Sequence, residues 1–75
     1  MRPEQERLVE VVDAILRYLH SHPHAADTVE GIAKWWLPPE KCADARIVAA
    51  ALARLEAQGL VRRRANADRH ILYSR

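Results

Sequence analysis

No regular helix can run unbroken through Pro23 or through the Leu37-Pro38-Pro39 step of this chain. A proline has no N–H for the turn before it, and its ring pushes the preceding residue out of the helical region. The chain must therefore build separate elements on either side of these points. In the first stretch, Leu8, Val11, Val12, Ile15, Leu16 and Leu19 recur at the spacing of a helix with one apolar stripe, which predicts a helix over about 4–21. Asp13 and Arg17 form a favourable i,i+4 pair on its polar side, and Pro3 suits the first turn.

Between the prolines, Asp27 or Thr28 is the expected N-cap of a second helix over about 28–37, with Val29, Ile32, Ala33 and Trp36 facing inward. At 100° per residue, Trp35 falls at the margin of the core. A third helix is expected over about 40–58, its start anywhere from Pro39 to Asp44 because Asp44 is itself a capping residue. Val48, Ala51, Leu52 and Leu55 form its inward stripe, extended backward by Ala45 and Cys42, and Gly59 is its stop signal. The same periodicity turns Ala43, Arg46, Ala50, Ala53 and Ala57 outward, with Arg54 beside them.

The tail reads as two strands, about 60–65 and 69–74, separated by Asn66-Ala67-Asp68, residues that accept turn conformations. A further short strand fits around His24 to Asp27. The expectation is a single domain, mainly α with a small β-hairpin. A chain of 75 residues buries only about 60% of its unfolded surface, so the core depends on clean patterning. No internal disulfide can help, because Cys42 is the only cysteine, a usage that suits a reducing compartment. The opening MRPEQERLVE carries acids where a signal peptide needs an apolar run, and the expectation is a cytoplasmic protein with no membrane partner.

The segments VEGIAKWWL, VAAALARLEAQGLVRRR and RHILYSR, taken together, resemble a winged helix-turn-helix domain. The middle one is similar to a recognition helix running into a basic first wing strand. The last is similar to the second wing strand of bacterial regulators of the arsenic-repressor and multiple-antibiotic-resistance type. The resemblance implies three helices plus a two- or three-stranded wing, double-stranded DNA as partner and a role in transcription regulation. The connection WWLPPEKCADA is several residues longer than the turn usual in that family.

Charge is unevenly divided. Residues 1–40 carry four basic and seven acidic side chains, whereas residues 41–75 carry eight basic and three acidic. One basic face is the footprint expected of a nucleic-acid binder. Arg62, Arg63, Arg64 and Arg69 are the expected phosphate contacts, Arg46 the expected base contact, and Arg54 and Lys41 are within reach of the same surface. The outward face of the third helix is otherwise methyl groups, which suits a second expectation: a protein partner or homodimer docking on that face and Trp35. His20, His22 and His24 alternate around Pro23 but lack a fourth ligand at telling spacing, so no metal or other cofactor is expected. No nucleophile, base and orienting group recur together, and no catalytic activity is expected.

Overall fold

The computed structural model describes residues 3–41 and 43–75. Helix α1 spans Pro3–Ser21 and buries Val11, Ile15 and Leu19 while its Asp13–Arg17 pair closes at 3.1 Å in solvent. It ends where Pro23 requires, with the His22 N–H donating to the Tyr18 carbonyl at 2.8 Å. The chain then lays down a two-residue strand, β1 (Ala26–Asp27).

Thr28 caps the next helix: its Oγ1 accepts from the Gly31 N–H at 3.1 Å, and Asp27 Oδ1 accepts from the Thr28 N–H at 2.8 Å. A Cβ at Gly31 would overlap the Asp27 carboxylate, so a glycine is what lets these two bonds coexist. The α-helical turn α2 (Val29–Gly31) passes directly into a π-helical segment, Ile32–Trp36. Its i→i+5 bonding advances each residue by less than the 100° of an α-helix. Trp35 is thereby swung away from the Ile32 side and stands 68% exposed, well outside the core margin predicted for it, whereas Trp36 stays buried. Trp36 stacks on Tyr18 of α1 at 4.7 Å between ring centroids.

The predicted third helix is divided. Pro39–Lys41 form one 3-10 turn, and α3 (Ala45–Ala57) begins only after Asp44, whose Oδ1 accepts from the Ile47 N–H at 3.0 Å. Ala43 precedes the helix and is buried rather than outward, and Ala45, in the first turn of α3, is exposed rather than part of the stripe. Val48, Ala51, Leu52 and Leu55 are fully buried, and α3 packs mainly on α1. At its end Gly59 adopts φ 74°, the Gly59 N–H donates to the Glu56 carbonyl at 3.0 Å and the Leu60 N–H to Leu55 at 2.9 Å. This paired closure satisfies carbonyls that would otherwise face outward without partners.

Strands β2 (Arg62–Ala65) and β3 (Ile71–Ser74) follow. The sheet is antiparallel with order β1-β3-β2, so β3 is central and β2 lies at an edge. Tyr73 of β3 packs against the core, which fixes the sheet's inner face. Three helices with a small three-stranded wing is thus the architecture, as the sequence pattern implied. Among the described residues no helix is long and apolar enough to cross a membrane.

Candidate nucleic-acid interface

The basic strand is positioned from both ends. Upstream, the Gly59 turn redirects the chain and Val61 anchors it in the core, 3% exposed. Downstream, Asn66 organises the hairpin turn. Its N–H donates to the His70 carbonyl at 2.9 Å, and its Oδ1 accepts from the N–H groups of Asp68 and His70 at 2.9 and 3.0 Å. The Arg69 N–H returns to the Asn66 carbonyl at 3.0 Å, and Arg69 takes the left-handed conformation, φ 65°. A turn followed by one left-handed residue is a common three-residue hairpin loop. Arg69 thus sits at the tip of the wing and not at the start of β3, whose first residue is Ile71.

All four residues of β2 are exposed. The register pairs Arg62 with Ser74, Arg63 with Tyr73, Arg64 with Leu72 and Ala65 with Ile71. Since side chains alternate along a strand, Arg62 and Arg64 share the outer face with Leu72 and Ser74, while Arg63 shares the inner face with Tyr73. Arg63 Nε lies 3.7 Å from Glu56 Oε2 at the end of α3, a loose pair in which both side chains are well exposed. Exposed pairs of this kind contribute at most about 1 kcal/mol. The three arginines therefore divide: two point outward together and one is steered toward α3.

The register also recruits a residue that the sequence reading passed over. Arg62, Arg63, Arg64, Ser74 and Arg75 line one open depression of about 330 Å³ at the base of the hairpin. Four arginines and a serine line it, and no Asp or Glu side chain does. The signal for Arg75 is present in the sequence only once the turn length is known, because the turn decides which residues of β3 meet Arg62.

Helix α3 offers less. Its outer face presents Arg46, Ala50, Ala53 and Ala57, all exposed. Arg46 stands in the first turn of the helix, two residues after the capping Asp44. At 1.5 Å per residue the helix carries it roughly 16 Å from Ala57, next to the wing. Arg54 borders a shallow depression shared with Gln5, Leu8 and Val9 of α1, so it faces the first helix and not the wing. The side chain of Lys41 and the whole of Cys42 lie outside the described residues.

The histidines near Pro23 have other work. The His22 ring stacks on Tyr18 at 4.2 Å, with Nδ1 3.1 Å from the Tyr18 carbonyl oxygen, extending the Trp36–Tyr18 stack to three rings. Among the described residues no three His, Cys, Asp or Glu side chains converge as metal ligands would.

The fold and surface define a class: a mainly α domain of three helices whose small antiparallel wing displays an arginine-bearing edge strand. No family model matches the chain, and neither a curated protein nor a solved structure matches it.

Proposed function

We propose that this chain is a nucleic-acid-binding domain of the winged-helix kind, transcription-regulator-like, that contacts duplex DNA through its basic wing. One observation carries the reading: Arg62 and Arg64 stand exposed together on the outer face of an edge strand, with Arg63, also exposed, steered toward Glu56. The likeness of VAAALARLEAQGLVRRR and RHILYSR to the arsenic-repressor and multiple-antibiotic-resistance regulators supports it. Arg69 at the wing tip supplies a third phosphate contact, and Arg46 is the side chain suited to a base edge. With methyl groups on most of the remaining outer face of α3, binding is expected to be largely indifferent to sequence.

The test is affinity for random duplex DNA across a salt series. Three phosphate contacts predict a log–log slope near −2.7, or roughly a 40-fold loss between 50 and 200 mM salt. Replacing Arg62, Arg63 and Arg64 together by alanine should flatten the slope to about −1. Absence of binding at low salt would remove this function.

A second reading, a protein-binding winged helix, is favoured by Trp35, an exposed indole with Lys34 Nζ 5.3 Å from its ring centroid. Such an exposed aromatic residue suits the centre of a small interface. It predicts a concentration-dependent dimer in sedimentation that Trp35→Ser abolishes. A strict monomer at high concentration would exclude self-association.

A further inference from the structure

The depression at the base of the hairpin has a geometry more specific than a basic patch. Arg62 and Arg64 stand two residues apart on one strand face, which separates their Cα atoms by roughly 6.7 Å. That interval is comparable with the distance between neighbouring phosphates along a single nucleic-acid strand. Ser74, cross-strand from Arg62, adds a neutral hydroxyl donor on the same face, and Arg75 borders both this depression and a second one beside Leu16, Leu19, His20 and Leu60. Arg63 borders the depression but is drawn toward Glu56. The wing tip, where Arg69 sits, lies beyond the far end of β2.

We infer that the base of the hairpin is a subsite for two successive phosphates of one strand, held by Arg62, Arg64, Ser74 and Arg75. This rests on the nucleic-acid reading above but is narrower: it assigns a position, a ligand unit and two residues that the wing arginines alone do not imply. Guanidinium groups grip phosphate oxygens through paired N–H donors, and a hydroxyl beside them fixes register without adding charge. Arg62 and Arg64 on one strand face repel each other in the free protein, and a dianionic ligand relieves that repulsion. The subsite does not need a duplex, because both phosphates belong to the same strand.

The experiment uses the whole chain and a short probe, the single-stranded tetranucleotide dT4, whose three phosphates are enough to fill the subsite. Amide NMR shifts on titration should be concentrated at Arg62, Arg64, Ser74 and Arg75, with those of Asn66 to Arg69 little changed. Two phosphate contacts on a single strand predict a salt slope near −1.4, or roughly a sevenfold loss between 50 and 200 mM salt. Arg64→Ala should halve that slope. Ser74→Ala should weaken binding several-fold while leaving the slope in place, a split that a merely unfolded variant cannot produce. Arg75→Ala should weaken binding of dT4 as Arg64→Ala does, and Arg17→Ala, on α1, should change nothing.

If dT4 shifts the tip and not the base, or if Ser74→Ala and Arg75→Ala bind dT4 as the parent does, the subsite is overturned. A random duplex that still binds in a manner sensitive to Arg62–Arg64 would then leave the broader function standing. The converse, with dT4 seated at the base but no affinity for duplex, retains the subsite and removes duplex DNA as the partner.

Discussion

Among the described residues two hold positive φ, and they bracket the basic strand: Gly59 at 74° before it and Arg69 at 65° after it. The first is solved by composition. A glycine lacks the Cβ that would crowd the following carbonyl, so α3 can close over its last turn without strain. The second is solved by a neighbour. Arg69 does carry a Cβ, and its conformation persists because Asn66 pins the turn through two side-chain and two backbone hydrogen bonds. The same backbone geometry is thus free in one place and held against a cost of about 1–2 kcal/mol in the other. Where a small residue would have been easier, the wing tip keeps a cation. That choice fits a site at which charge matters more than local stability.

Three substitutions would break or sharpen this contrast. The largest effect is expected from Gly59→Val. Nothing lies within 4 Å of a Cβ built there, so the whole cost is backbone strain from a branched residue at positive φ. A loss of about 2 kcal/mol should appear as a lower midpoint in urea denaturation. Asn66→Ala comes next, at about 1 kcal/mol, because the exposed amides of Asp68 and His70 can turn to water when their acceptor is gone. Exchange of those two amides should quicken more than that of any amide in α3. The smallest change, and the most telling, is Arg69→Gly: a gain of about 0.5 kcal/mol, accompanied by a duplex-binding salt slope shallower by about 0.9. Stability and affinity should move in opposite directions. Were Arg69→Gly to destabilise the protein, the arginine side chain itself would be holding the turn, and the contrast with Gly59 would fail.

Much of the frame was legible in residue order because it follows from short-range rules. Val48, Ala51, Leu52 and Leu55 repeat at helical spacing, Gly59 marks the stop, Asp44 and Thr28 are capping residues, and Pro23 ends α1. The π-helical segment was not legible, since Ile32–Trp36 contains no residue that distinguishes i→i+5 from i→i+4 bonding; packing of Ile32 and Trp36 decides it. Ideal α-helical periodicity therefore puts Trp35 too near the core. The hairpin gives the clearest case of partial legibility. A turn confined to Asn66-Ala67-Asp68 would set Arg62 opposite Leu72. The real turn also takes in Arg69, with His70 closing it opposite Asn66, which slides the pairing by two residues and leaves every side chain on its own face. That slide sets Ser74 opposite Arg62 and makes Arg75 part of the basic depression. Face was readable from alternation; partner was not, because it depends on how the loop closes.

The marginal position of β2 has a further consequence. Its outer side presents backbone donors and acceptors with no strand of this sheet to meet them, the arrangement by which proteins zip together into unwanted ribbons. Rows of like cations hold a second copy at bay while the protein is free. A polyanion threaded along that row would cancel the repulsion and line up several molecules at once, so occupancy by a long strand would itself license neighbour-to-neighbour contact, and crowding along the polymer would outpace crowding in solution.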